Sequence, residues 1–169
     1  QSSLDAVEAM NNMVNMMREH IPSSTRIHYV ITNVGKAPNV VPDFAEVYFY
    51  VRHPKKDDVV QIFDRVTKAA EGAALGTETT MKFEIIGGTH DLLLNKTLNT
   101  EMFKNLDLVG GISYTTEEIE FAKKIQSTLN FKTPSYQDAL KIQPMVLPDD
   151  VSMGSTDVGD VSYIVPTVG

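Results

Sequence analysis

The stretch Ala45-Glu46-Val47-Tyr48-Phe49-Tyr50-Val51-Arg52 alternates between two kinds of side chain with a period of two residues. Its odd-numbered positions are apolar, whereas its even-numbered positions carry charged or hydroxyl groups. Such alternation is typical of a β-strand that has one face on a core and the other in polar surroundings. The stretch therefore predicts a half-buried strand whose polar face ends at Arg52.

A second strand is predicted just upstream of this one. Residues 26–32 place Ile27, Tyr29 and Ile31 on one face and His28 on the other. The connecting residues 33–43 contain one glycine, two prolines and two asparagines, which favour turns for different backbone reasons. We expect two strands joined by a loop.

Two amphipathic helices flank these strands. In the first, apolar residues recur at spacings of three and four behind a possible N-cap at Ser2 or Ser3, and the helix ends before Pro22. These apolar residues are Leu4, Val7, Met10, Val14, Met17 and Ile21. The second helix is predicted over residues 56–75, with Gly76 as its C-terminal stop.

A third strand is predicted over residues 79–86, where Met81, Phe83 and Ile85 alternate before Gly87 and Gly88. The order is then helix, strand, strand, helix, strand. A split β-α-β sandwich has one more strand at its start. The fold class is therefore predicted as α+β: a two-layer helix-on-antiparallel-sheet domain that lacks its first strand.

The spacing of apolar residues along the chain changes near residue 91, and we expect two domains, residues 1–90 and 91–169. A helix is predicted around residues 98–106, and another begins after Thr115, where Glu117 and Glu118 favour a helix N-terminus. From residue 132 onward four prolines occur and no sustained period remains.

The composition excludes several classes of function. The 169 residues include 22 acidic and 15 basic side chains, and the net charge of -7 argues against nucleic acid as a partner. No apolar run approaches the roughly 20 residues that a membrane span requires, so no membrane association is expected. The absence of cysteine removes disulfides, thiolate zinc sites and cysteine nucleophiles, and it is compatible with the cytoplasm.

No local catalytic or metal-binding motif is present. Each of the four histidines stands alone in its element, so no residue is predicted as a metal ligand. The stretch Gly154-Ser155-Thr156-Asp157 lacks the second glycine of a nucleophile elbow, and no residue is predicted as catalytic.

Groups that could bind an anion remain. Arg52 can hold a carboxylate through two charge-assisted hydrogen bonds, and Asn39 can donate from its amide. The connecting loop is short enough to bring both to one end of the strand. Ser155 and Thr156 offer hydroxyls beside exposed backbone amides. The alternatives are a solvated arginine at a strand end and ordinary turns.

The stretches 35–43 and 50–52, together with 154–162, resemble the zinc-dependent amidohydrolase and carboxypeptidase family, which includes hippurate hydrolase, aminoacylase and glutamate carboxypeptidase. The resemblance implies amide hydrolysis by water on a two-metal zinc centre, or another divalent metal, with a glutamate base. It implies that Asn39 and Arg52 bind substrate or steady the oxyanion, commonly across a dimer. It makes Ser155 and Thr156 candidates for a carboxylate-binding loop.

The same resemblance implies that residues 1–90 are most of a lid, or dimerisation, domain and that residues 91–169 are part of an α/β catalytic domain. We therefore expect a fragment, with the lid's first strand before Gln1 and the final metal-ligand histidine after Gly169. The parent would cleave the amide of an N-acyl amino acid, with an aromatic acyl group on glutamate. The chain alone would hold no zinc and be inactive.

Partners implied by the resemblance are a second copy, giving a homodimer through the lid, and a small substrate that carries a carboxylate. Two alternatives belong to other classes of function. One is a non-catalytic module that pairs with a copy of itself through a sheet edge or a helix face. The other is a carboxylate-binding module that depends on Asn39 and Arg52.

Overall fold

The computed structural model describes residues 2–145, 154 and 156–168, and the chain divides into two compact units, residues 1–91 (unit 1) and 92–169 (unit 2). Unit 1 contains α1 (Ser3–Met17), a 3-10 turn (Arg18–His20), β1 (Arg26–Asn33), β2 (Glu46–Arg52) and α2 (Lys56–Gly76). Unit 2 contains α3 (Lys96–Val109), α4 (Thr116–Gln126), a 3-10 turn (Tyr136–Leu140) and α5 (Val158–Ser162).

The sheet of unit 1 consists of β1 and β2, which pair in antiparallel orientation. Ile27 lies opposite Val51, and Tyr29 lies opposite Phe49 with their ring centroids 5.2 Å apart. The apolar positions of both strands thus share one face, as their alternation predicts. Both predicted strands and their half-buried orientation are confirmed.

The core of unit 1 lies between this sheet face and the two helices. It consists of Val14 and Met17 from α1, Ile62 and Val66 from α2, and Ile27 from β1. Each such side chain contributes about 1.5–3 kcal/mol when it leaves water. The α+β class and the two-layer arrangement are confirmed, because both helices bury the faces that their apolar spacing predicts.

The ends of the two helices show how well capping signals can be interpreted. Ser2 is the N-cap of α1, and its hydroxyl accepts from the Asp5 amide at 3.3 Å. The predicted stop at Gly76 is confirmed, because α2 ends at Gly76, and the left-handed residue that follows it is Glu78, with φ of 53°. The Thr79 amide donates to the Ala74 carbonyl at 3.0 Å, which closes the helix without glycine.

The predicted third strand is wrong. In the described part of the chain residues 79–86 pair with neither strand, although the Phe83 ring packs edge-on against Phe63 of α2 at 5.9 Å. The last strand of a split β-α-β sandwich pairs with the first one. Among the described residues no strand lies before α1 for this segment to pair with.

Unit 2 confirms both predicted helices. The Asn95 side chain caps α3. Thr115 and Glu118 form a reciprocal capping box at the start of α4, so Glu117 and Glu118 lie at a helix N-terminus, as the sequence predicts. Neither helix contains a buried residue. None of the helices within the described ranges is long and apolar enough to cross a lipid bilayer.

Candidate functional site

One face of the β1–β2 sheet is not covered by the helices. The apolar positions of both strands point toward α1 and α2, so the alternate positions point the other way. We call these alternate positions the open face: Arg26, His28, Val30, Tyr48, Tyr50 and Arg52. The antiparallel register arranges them in three rows, with Arg26 opposite Arg52, His28 opposite Tyr50, and Val30 opposite Tyr48.

The arginine row closes one end of the open face. Arg52 is the last residue of β2 and is half-buried. The Arg26 guanidinium is held in place, because its Nη1 donates to the carbonyls of Ser23 and Thr25 at 2.7 and 2.8 Å. Arg26 and Arg52 are paired across the strands, and an arginine can bind a carboxylate through two charge-assisted hydrogen bonds. This end of the sheet is therefore suited to a carboxylate.

Aromatic side chains occupy the middle of the open face. The rings of Tyr48 and Tyr50 have centroids 5.1 Å apart. The hydrogen bond with the Tyr50 hydroxyl raises the pKa of Tyr48 above its ordinary value, and partial desolvation and the nearby phenol act in the same direction. The Tyr48 phenol is therefore neutral at physiological pH, and Tyr50, 58% exposed, presents its ring to solvent.

Asn39 lies in the loop at the other end of the sheet. It is a central residue of a tight turn, closed by the Val40 amide donating to the Ala37 carbonyl at 3.1 Å. The loop is fixed to α1 by Ser3, whose amide donates to Pro42 O at 3.1 Å and whose hydroxyl donates to Asp43 O at 2.9 Å. The turn that presents Asn39 is thus attached to the start of a helix.

The prediction that the loop brings Asn39 and Arg52 to one end of the strand is wrong. The loop enters β2 at Glu46, whereas Arg52 is the opposite terminus of this seven-residue strand. At about 3.3 Å per residue the two ends of β2 are about 20 Å apart. The topology does not bring the two candidates together within one chain.

The remaining candidates lie in unit 2. Ser155 falls outside the described residues. The Thr156 hydroxyl accepts from the Val158 amide at 3.3 Å and lies 3.4 Å from Asp157 Oδ1. These contacts place Thr156 at the start of α5, where its side chain is exposed and caps a turn.

Sequence reasoning missed a polar network at the start of α2. The His53 side chain is 6% exposed, its Nε2 lies 2.8 Å from Ser24 Oγ, and its Nδ1 lies 3.3 Å from Asp58 Oδ2. The Lys55 amide nitrogen lies 3.0 Å from Nδ1, and the Lys55 carbonyl oxygen lies 3.3 Å from the same ring nitrogen. The network fastens the turn before β1 to the N-terminus of α2.

The metal required by the family resemblance is not accommodated by these residues. Across residues 2–145, 154 and 156–168, no three histidine or carboxylate side chains converge as a metal centre requires. The ring of His53 contacts Ser24 and Lys55. The described residues therefore do not fit a zinc site.

The chain is similar in sequence to several known proteins. Residues 1–78 match the family described as the peptidase dimerisation domain. The chain is 39% identical over 190 residues to a p-aminobenzoyl-glutamate hydrolase subunit of Escherichia coli (strain K12), covering 98% of this chain and 40% of that protein. It is 28% identical to the Xaa-Arg dipeptidase of Homo sapiens and 26% identical to that of Mus musculus, in each case over 99% of this chain.

The chain spans 40% of the length of the first of these relatives and 32% of the length of each dipeptidase. The similarity covers both units, whereas the dimerisation domain covers most of unit 1, including the whole open face. Residues 1–78 belong to the peptidase dimerisation domain family of the M20 peptidases.

Proposed function

We propose that the chain is part of a metal-dependent amidohydrolase that cleaves the amide bond of an N-acyl amino acid such as p-aminobenzoyl-glutamate. The identity of 39% to a hydrolase named for that compound, extending over 98% of the chain, supports this substrate class. In this proposal unit 1 is the lid, which binds substrate and forms the dimer, and unit 2 belongs to the catalytic domain.

The observation that carries the proposal is the position of Arg52. A guanidinium at the end of a strand, on the sheet face opposite α1 and α2, can form a two-pronged bond with a substrate carboxylate. The opposed Arg26 adds positive potential at the same point, within a chain whose net charge is -7. Arg52 is therefore proposed to recognise the carboxylate of the amino-acid part of the substrate.

Asn39 requires a different arrangement. Because β2 separates the loop from Arg52 by about 20 Å, one copy of the chain does not offer both groups to one small substrate. A homodimer through the lid removes this difficulty, since the Asn39 of one copy can then serve the substrate held by Arg52 of another. In this proposal the Asn39 amide donates to the substrate or to the developing oxyanion.

Ser155 and Thr156 are proposed as secondary carboxylate-binding residues in the catalytic domain. The Thr156 hydroxyl lies at the start of α5, and its side chain is exposed to solvent.

Zinc or another divalent metal is proposed as the cofactor of the whole enzyme, and its ligands would come from outside the described residues. The 169-residue chain by itself is then expected to be inactive and to retain close to zero zinc after removal of free metal. Elemental analysis measures this directly, and one or two tightly held zinc ions per chain would contradict it. The cytoplasm is the proposed compartment.

The decisive experiment uses the full-length protein that contains this chain. We expect it to release p-aminobenzoate from p-aminobenzoyl-glutamate and to lose that activity with a metal chelator. Arg52→Ala should lower kcat/KM by about 10- to 100-fold, as expected for losing a charge-assisted bond worth roughly 1.5–3 kcal/mol. Arg65→Ala is the matched control, since Arg65 lies on α2 and its Nη1 bonds the His20 carbonyl.

The homodimer has its own test. Light scattering over a range of protein concentrations should show a mass of two copies for the full-length protein. A mass that stays at one copy at all concentrations would contradict the role proposed for Asn39, while leaving the role of Arg52 in place.

A further inference from the structure

A groove lies between α1 and α2, on the helix layer of unit 1. It has a volume of about 380 Å³ and is lined by three thioethers, an imidazole and two cations. These residues are Met13, Met16, Met17, His20, Arg65 and Lys68. We propose that this groove is a site of methionine oxidation, where hydrogen peroxide converts Met13 and Met16 to sulfoxides with the help of the two cations. The inference does not depend on the proposed function.

The methionines that line the groove are unevenly buried. Met17 belongs to the core and is 8% exposed, whereas Met13 and Met16 are 40% and 70% exposed. Exposed sulfur atoms are the ones that oxidants reach first. Because the chain contains no cysteine, its thioethers are the only sulfur that peroxide can oxidise. Exposure alone would make Met102 of α3 as reactive as Met13, since Met102 is 42% exposed.

The surroundings of Met13 give it an advantage that exposure does not describe. A Cβ added at Gly72 would lie 3.9 Å from Met13 Sδ, so this sulfur lies against α2 at the level of Gly72. Lys68 precedes Gly72 by about one helical turn, a rise of about 6 Å. Arg65 lies three residues before Lys68, on the same side of α2. The Met13 sulfur is therefore within reach of the Lys68 side chain.

Both cations are restrained by contacts that use only part of their hydrogen-bonding capacity. The Arg65 Nη1 donates to the His20 carbonyl at 2.9 Å, which directs the guanidinium toward the end of α1. The Lys68 Nζ lies 2.6 Å from Asp64 Oδ2. An ammonium group has three donors and a guanidinium has five. Each cation thus has further donors for an oxygen atom that enters the groove.

The proposed reaction transfers one oxygen atom and two electrons. A lone pair of the sulfur attacks one oxygen of hydrogen peroxide, and the S–O bond forms as the O–O bond breaks. The departing hydroxide takes the proton of the transferred oxygen and leaves as water, so the sulfur is oxidised and the peroxide is reduced. Negative charge develops on the departing oxygen. Donors on Lys68 and Arg65 beside the sulfur therefore lower the barrier.

The experiment measures the rate of oxidation at each methionine of the 169-residue chain. Hydrogen peroxide is added in large excess, and tandem mass spectrometry of tryptic peptides follows each sulfoxide with time. We expect Met13 to react about threefold faster than Met102, a factor typical of interactions between charges near a surface. Met16 should react at least as fast as Met13, because more of its side chain is exposed. Salt at about 0.5 M should reduce the advantage of Met13 by screening the charges.

Variants of α2 test the role of the cations. Lys68→Gln and Arg65→Gln remove the two charges, singly and together, and both residues are exposed, so we expect circular dichroism to show an unchanged fold. In the double variant Met13 should react at the rate of Met102, and each single variant should lose part of the advantage. Lys104→Gln is the matched control, because Lys104 also pairs with a carboxylate of its own helix, at 2.7 Å. It should leave the rate at Met13 unchanged.

Three outcomes would overturn the inference. They are a rate at Met13 that does not exceed the rate at Met102, an unchanged rate at Met13 in the double variant, and an equal loss at Met13 in Lys104→Gln. A second copy of the chain that covered the groove would produce the first of these. No readout involves hydrolysis of a substrate, so the oxidation site and the proposed function can fail independently.

Discussion

Gly35 is the residue whose backbone most clearly restricts substitution. Its φ is 95°, and a Cβ added there would lie 2.9 Å from Pro42 Cγ. We expect Gly35→Ala to lower the free energy of unfolding by about 1–2 kcal/mol, because an L side chain is disfavoured at positive φ. Urea denaturation followed by circular dichroism measures the change.

Gly72→Ala is the matched control for that substitution. Gly72 lies inside α2, and the nearest atom to an added Cβ is Met13 Sδ at 3.9 Å, an ordinary contact. Alanine should raise the free energy of unfolding by about 1 kcal/mol, the usual difference in helix propensity. Destabilisation of similar size in both variants would show that the positive φ of Gly35 is not the cause.

The tyrosine pair gives a prediction that depends on pH. Since the Tyr50 hydroxyl raises the pKa of Tyr48, Tyr50→Phe should move the pKa of Tyr48 down toward its ordinary value. A raised pKa of the folded state means that the associated stability is present at neutral pH and is lost as pH rises through that pKa. Ultraviolet difference titration of the tyrosinates measures the shift, and an unchanged midpoint for Tyr48 in the variant would contradict the hydrogen bond.

At the scale of the elements, the segment after α2 tests whether a strand-like pattern is enough to form a strand. Residues 79–86 alternate like a strand but have no paired neighbour in the described part of the chain. Apart from the Thr79 amide, which bonds the Ala74 carbonyl, their amides should exchange with deuterium much faster than those of β1 and β2 that bond across the ladder, because exchange follows the loss of hydrogen bonds. Protection equal to that of β2 would show that the segment pairs with a strand in solution.

Periodicity allowed the elements of unit 1 to be predicted because both helices and both strands bury one face in a single core. Residues 79–86 carry a strand pattern too, but a pattern specifies a face and not a hydrogen-bonding neighbour. Gly76 marks the end of α2, but the sequence alone did not show that Thr79 supplies the closing amide and that Glu78 adopts the left-handed conformation.

The candidate site could be predicted only in part for the same reason. Alternation placed Tyr48, Tyr50 and Arg52 on one face, but only the register shows that Arg26 lies opposite Arg52. Similarly, the contact between Ser24 and His53 joins residues 29 positions apart, and no local spacing predicts it.

At the scale of the whole molecule, the two units differ in how much they bury. Unit 1 has a core that includes residues from both helices and the sheet, whereas α3 and α4 contain no buried residue. Local opening needs little free energy where few apolar contacts are lost. Limited proteolysis of the chain should therefore cleave within residues 92–145 before unit 1, as mass spectrometry of early fragments would show.

A matched control uses the core of unit 1. Val14 is completely buried, and Val14→Ala should destabilise unit 1 by roughly 1–3 kcal/mol and speed its cleavage. Early cleavage inside unit 1 of the unmodified chain would contradict the expected order.

The two hydrogen bonds from Ser3 to the carbonyls of Pro42 and Asp43 couple the start of α1 to the loop that carries Asn39. A 15-residue helix attached in this way transmits a change of its orientation to the loop. A tilt of α1 on the core would displace its first turn, and Asn39 would be displaced with the loop. The position of Asn39 thus depends on the angle at which α1 packs on the sheet.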